Sequence, residues 1–205
     1  MPTQVDTTHL LAVAAALGWA SGLRFYAVVF VTGLAGYLGW VNLPAGLQAL
    51  QTPLVLGASG FMLLVEFLAD KIPALDSLWD IVHTVVRVPG GAMLAAAVFG
   101  VDNGTMAVVA GLLGGTLAAV SHTAKSTTRT AANTSPEPFS NFGLSVAEDV
   151  TTAGLLWLVL TYPLVALALV IALVLLAAWL LPKLIRFVVR VLKKVLGAPP
   201  RDFSR

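Results

Sequence analysis

The stretch 151-TTAGLLWLVLTYPLVALALVIALVLLAAWLLP-182 carries no charged side chain, and none occurs anywhere between Asp149 and Lys183. A helix needs about 20 mostly apolar residues to cross the hydrocarbon of a bilayer. In water this segment would expose a large apolar patch, whereas in lipid a helix satisfies its own backbone. It reads as membrane-spanning.

The rest of the chain agrees. Of 205 residues, 58% are hydrophobic and 11% charged, against about 25% charged in ordinary soluble domains, and the mean hydropathy is +0.90. Long apolar tracts recur throughout, which leaves no room for a sizeable soluble domain. Zero cysteines exclude a disulfide framework, a thiolate nucleophile and a Cys-based metal site. The stretch from Met1 to His9 holds Asp6 and no Lys or Arg, so the basic region of a cleavable signal is missing and the first apolar segment is expected to be retained.

Past the opening stretch, Lys183, Arg186, Arg190, Lys193, Lys194, Arg201 and Arg205 face only Asp202. A basic cluster directly after a span is expected in the cytoplasm. Over 183–196 the basic side chains fall on one helical arc and Leu184, Val188, Val191, Leu192 and Val195 on the other. This is either a solvated topogenic tail or a helix on anionic headgroups; the expected partner is membrane lipid, not nucleic acid. Residues 1–182 are therefore expected to form a transmembrane helical domain, and 183–205 a cytoplasmic basic amphipathic tail.

Five spans are the economical reading: about 8–38, 53–69, 77–101, 105–125 and 146–182. The first is interrupted by Gly18-Trp19-Ala20-Ser21-Gly22 and is expected to be a broken helix or a re-entrant hairpin. The last, about 37 residues, would be roughly 55 Å long, so Pro163 is expected to kink it, with two short spans as the alternative. An odd count puts the N-terminus outside the cell (inner) membrane. The polar stretch 127–143 is expected to be an external loop, a connector or a lid, and its Asn133-Thr134-Ser135 fits a glycosylation sequon. At an offset of 54, Gly57, Gly60, Leu63 and Lys71 align with Gly111, Gly114, Leu117 and Lys125, the mark of an internal repeat. The expected fold is an all-α integral membrane bundle.

Charge within these spans is the chemical content of the sequence. Glu66 and Asp70 are four apart. Asp76, Asp80, His83 and Arg87 project to 0°, 40°, 340° and 20° on a helix, a single stripe. His122 and Arg129 share a face with Lys125 at its edge, Glu148-Asp149 open the last span, and Arg24 follows the break in the first. An ionisable group at mid-bilayer costs about 2.5–3.5 kcal/mol on insertion scales, so such groups must meet one another, backbone or water. The alternative for Glu66, Asp70, Lys71 and Asp76 is an interfacial role around Ile72-Pro73. No HxxxH or HxxE pairing occurs, so no metal or other cofactor is expected. Gly111 and Gly115 form a small-xxx-small pattern suited to close helix packing, within the chain or in a homo-oligomer.

Ala20-Ser21-Gly22-Leu23-Arg24 with Phe25-Tyr26, Glu66-Phe67-Leu68-Ala69-Asp70-Lys71-Ile72-Pro73, and Asp76-Ser77-Leu78-Trp79-Asp80 resemble the bacterial multi-pass membrane family catalogued as domain of unknown function 4126. The resemblance covers most of residues 8–165 and implies a fold type, without an activity.

Enzyme signatures are absent: there is no G-x-S-x-G, P-loop or dinucleotide fingerprint. The expected function is transport of an ion or small polar or anionic solute, with Glu66, Asp70, Asp80 and Arg87 lining the path. Lipid or lipid-phosphate translocation and a non-transporting accessory or assembly role are the alternatives.

Overall fold

The computed structural model describes residues 6–69, 73–101, 103–132 and 138–195. They form an all-α membrane bundle: α1 (Thr7–Tyr37), a short 3₁₀ helix (Ala45–Gln51), α2 (Pro53–Ala69), α3 (Pro73–Ala97), α4 (Gly104–Ala132), α5 (Pro138–Thr161) and α6 (Pro163–Val195). Four of these six α-helices begin on a proline. Its fixed φ suits a first helical residue, and its missing N–H would be unpaired there anyway. Thr7–Tyr37, Gly104–Ala132, Phe142–Thr161 and Pro163–Val191 are each long and apolar enough to cross a membrane, and the 3₁₀ helix plus α2, bent by 70°, makes a fifth candidate. Helix α3 falls outside that set because Asp80, His83 and Arg87 dilute its apolar surface.

Pro163 does more than kink the last segment. The helix stops at Thr161, and the Val165 and Ala166 amides take the Tyr162 carbonyl (2.9 and 3.0 Å) to start α6 afresh. Helices α5 and α6 then run antiparallel, so that Leu144 and Glu148 share a crevice with Leu176 and Leu180. Pro182 does not end α6: the Arg186 Nε donates to the Pro182 carbonyl (3.0 Å) and the helix runs on to Val195. The basic amphipathic segment is thus continuous with the span before it. The expected loop 127–143 is largely helix, taken up by the ends of α4 and α5. Its sequon at Asn133 lies outside the described residues.

Helix α1 is the hub. Ala12, Ala14, Ala15, Ala16, Gly18 and Gly22 are all buried, and their small size lets other backbones come close. A Cβ on Gly18 would sit 2.8 Å from the Gly114 carbonyl oxygen, and one on Gly22 would collide with Ser121 and the Ala118 carbonyl. Residues 7–23 run beside α4 in the same direction: Ser121 Oγ donates to the Trp19 carbonyl (2.8 Å) and Lys125 Nζ to the Leu23 carbonyl (3.3 Å). At Arg24 the backbone leaves helical geometry (φ −144°, ψ 78°). Beyond it the chain turns back, with Phe25 against Gly90, Phe30 against Gly60 and Gly33 against Leu50. Leu10 and Leu17 before the bend and Thr32 after it line one cavity of about 440 Å³, together with Val98 and Val159.

Antiparallel α3 and α4 pack just as closely, Gly91 near Ala118, and a Cβ on Gly115 would sit 3.1 Å from that of Ala92. A Cβ on Gly111 would also meet α3, 3.4 Å from Ala96 Cβ, so the small-residue face of α4 is used within the chain. A Cβ on its repeat-mate Gly57 would meet nothing within 4 Å; the two aligned segments do not pack alike.

Candidate functional site

Where the bend of α1 meets the middle of the bundle, eight ionisable side chains from five helices converge among the described residues. Arg87 of α3 is fully buried and holds two carboxylates at once, Nη2 on Glu66 Oε1 of α2 and Nη1 on Asp80 Oδ1, both at 2.6 Å. Asp80 is shared with Lys125 of α4 (3.5 Å), which also reaches Glu148 of α5 (3.3 Å). Glu148 in turn takes a bidentate grip from Arg129, 2.9 and 2.8 Å. Beside this chain, Arg24 at the bend lies 2.7 Å from Asp149 and donates to Ser145 Oγ (3.1 Å). Among the described residues these are four cations (Arg24, Arg87, Lys125, Arg129) and four carboxylates (Glu66, Asp80, Glu148, Asp149).

Local periodicity explains each contribution. Asp80 and Arg87 are seven apart, two turns on one face of α3, and Lys125 and Arg129 are one turn apart on α4. The antiparallel register fixed by the glycines then sets Lys125 opposite Asp80.

Polar neighbours lock the geometry. His122 Nδ1 lies 3.2 Å from Arg87 Nη1, which can only donate, so this nitrogen accepts. Its Nε2–H is then left to donate to Thr84 Oγ1 (2.7 Å), whose own hydroxyl donates to the Asp80 carbonyl (2.9 Å). His122 is thereby a neutral imidazole. On the other side, His83 Nδ1 donates to the Trp79 carbonyl (2.9 Å), and its Nε2 lies 3.1 Å from Tyr26 Oη. Trp79 stacks on His83, ring centroids 4.1 Å apart.

Of the residues singled out in the sequence, Arg24, Glu66, Asp80, His83, Arg87, His122, Lys125, Arg129, Glu148 and Asp149 all meet in this layer. Asp70 and Lys71, and the side chain of Asp76, lie outside the described residues. Tyr26, Thr84 and Ser145 also belong to the layer and were not singled out. Their only sequence signal is spacing: Thr84 is four after Asp80, and Ser145 is three and four before Glu148 and Asp149. Among the described residues no group of three or more His, Asp or Glu could hold a metal ion. Two buried polar atoms at the centre, Glu66 Oε2 and Arg87 Nε, have no hydrogen-bond partner among the described residues.

Fold and site together define a helical membrane protein built round an internal belt of paired charges. The chain belongs to the family of the domain of unknown function DUF4126, whose profile matches residues 11–183. No curated protein and no solved structure matches it.

Removing one partner of a buried ion pair costs about 3–5 kcal/mol, because the other charge is stranded. Arg87→Met is therefore expected to lower stability by about that much, since it strands Glu66 and leaves Asp80 with the longer Lys125 contact. Glu66→Leu added to it is expected to restore a measurable part, because one stranded charge goes with it. Unfolding by SDS titration in mixed micelles checks this; a double variant as unstable as the sum of the two single ones contradicts it.

Proposed function

We propose that this chain is a small transport protein of the cell membrane, moving an ion or small polar or anionic solute through the charged belt. The observation that carries the reading is the compensated layer of ions buried at the bend of a broken helix. Apolar residues of similar volume would hold helices together as well as buried ion pairs do, or better. Eight ions kept in such a place argue for a use beyond cohesion. Discontinuous helices whose ends meet charged groups inside the bundle are how many transporters build a solute site.

The legs of α1, 17 residues before Arg24 and 13 after it, would be about 25 and 20 Å long, short of a roughly 30 Å hydrocarbon core. In this reading α1 is a re-entrant hairpin with Arg24 at its tip. Helices α2 to α6 then make five crossings, placing the two termini on opposite faces. The cations after the last span favour a cytoplasmic C-terminus. The belt lies inside the hydrocarbon edge on that side. Lys125 and Glu148 share a crevice with Ala177, which is six residues before Lys183, about 9 Å along the helix.

Within the belt Lys125 is the member suited to switching. Its contacts to Asp80 (3.5 Å), Glu148 (3.3 Å) and the Leu23 carbonyl (3.3 Å) are long and divided, unlike the 2.6 Å grips of Arg87. A solute cation at Asp80 would push Lys125 toward Glu148, and a solute anion would draw it from both. Glu66 Oε2 and Arg87 Nε, buried and unpaired among the described residues, would offer one acceptor and one donor to a solute or its water once the belt opened.

Proteoliposome fluxes of protons, potassium, chloride and inorganic phosphate test the reading. At least one should exceed empty vesicles, and Asp80→Asn should cut it about tenfold, ~1.4 kcal/mol on the barrier, while the protein still assembles. No flux of any of the four, or an unchanged flux in the variant, contradicts it. The mutual pairing of the belt's charges also suits a non-transporting accessory subunit, in which case the protein should be silent and co-purify with a stoichiometric partner.

The absence of cysteine makes topology directly testable. Single cysteines at Thr7 and Leu38 should react with an impermeant thiol reagent from the same face of the membrane, and one at Ser204 from the other. Labelling of Thr7→Cys and Leu38→Cys from opposite faces would rule out the re-entrant α1.

A further inference from the structure

We infer that the crevice between α4, α5 and α6 seats one anionic phospholipid of the leaflet on the C-terminal side, chain inward and phosphate on the basic stripe of α6. The crevice has a volume of about 300 Å³, and Leu144, Leu173, Leu176 and Leu180 make its walls. Lys125 and Glu148, paired with each other at 3.3 Å, also line it. Apolar walls with cations beyond the mouth fit an amphiphile and not a free ion.

Two independent observations point to an occupant. Trp19 lines the crevice and is only 4% exposed, yet its indole Nε1–H is buried with no hydrogen-bond partner among the described residues. A buried indole N–H ordinarily finds an acceptor, and an ester carbonyl of a seated lipid is one. The second observation is charge. Leu176, Lys183 and Arg190 are seven residues apart in turn, so they lie in one column of α6, the first in the crevice wall and the others beyond its mouth. Lys183, Arg186 and Arg190 are exposed, and none has a carboxylate partner among the described residues; the Lys183 ammonium rests over the Trp179 ring, 3.1 Å from its centroid. Unneutralised cations at the end of an apolar slot select an anionic headgroup over a zwitterionic one. Nothing in this site depends on whether a solute crosses the belt.

Native mass spectrometry of the full chain, released from detergent after incubation with phosphatidylglycerol and phosphatidylcholine, tests the site. The wild type is expected to keep one phosphatidylglycerol, about tenfold over phosphatidylcholine. Ala147→Phe, at an exposed position on the crevice rim, should plug the slot and abolish retention. Trp19→Phe keeps the ring but removes the donor and should weaken retention several-fold. Lys183→Gln with Arg190→Gln should erase the preference between the two lipids. Full retention in both Ala147→Phe and Trp19→Phe, with loss only in the Lys183/Arg190 variant, would reduce the site to surface charge and overturn the proposal. Equal retention of the two lipids by the wild type would overturn it as well.

Discussion

One arginine holds the centre of this molecule together. Arg87 is without exposed surface and clasps Glu66 and Asp80 at 2.6 Å each, joining α2 to α3. In hydrocarbon a lone carboxylate or guanidinium is costly, so each of these charges is tolerable only because the other two are present. Asp80 extends the requirement to Lys125, and Glu148 extends it to Arg129. The helices are thereby placed by mutual need at one level of the bundle.

What lets the charges meet is the absence of side chains elsewhere. Helix α1 reaches the layer only because Gly18 and Gly22 allow α4 to approach closely, Gly22 so closely that a methyl group would collide with Ser121. Bending at Arg24 then frees the carbonyls of the preceding turn, and Lys125 Nζ takes the one at Leu23. The bend and the belt are thus coupled: the cation that serves two carboxylates also caps the broken helix. Movement of Lys125 would be felt at both.

How much of this was legible before the fold was known depended on the range of the interaction. The stripe of Asp80, His83 and Arg87 follows from helical periodicity alone, and all three are buried together. The pairing of Arg87 with Glu66, or Lys125 with Asp80, depends on the register between helices, which no local pattern encodes. The break in α1 was expected at Gly18–Gly22, the usual helix breakers, but falls at Arg24. Those glycines stay helical because close packing needs them, and the long polar side chain is drawn off axis toward Asp149 and Ser145. The stretch after Lys125 looked like a loop because it is polar. It stays helical to Ala132, and the Thr128 and Thr130 hydroxyls fold back onto the Ala124 and Ser126 carbonyls, 2.7 and 2.8 Å away.

Mutual dependence of these charges requires the belt to lie within hydrocarbon. Val85, on α3 between Asp80 and Arg87, is 76% exposed on the outside of the bundle, so a nitroxide on Val85→Cys would report the depth of that layer without touching it. In reconstituted bilayers, power saturation should find this label accessible to oxygen and shielded from a water-soluble nickel complex. Accessibility to nickel equal to that of a label at the headgroups would mean that the charges sit in water, and the central claim would fall.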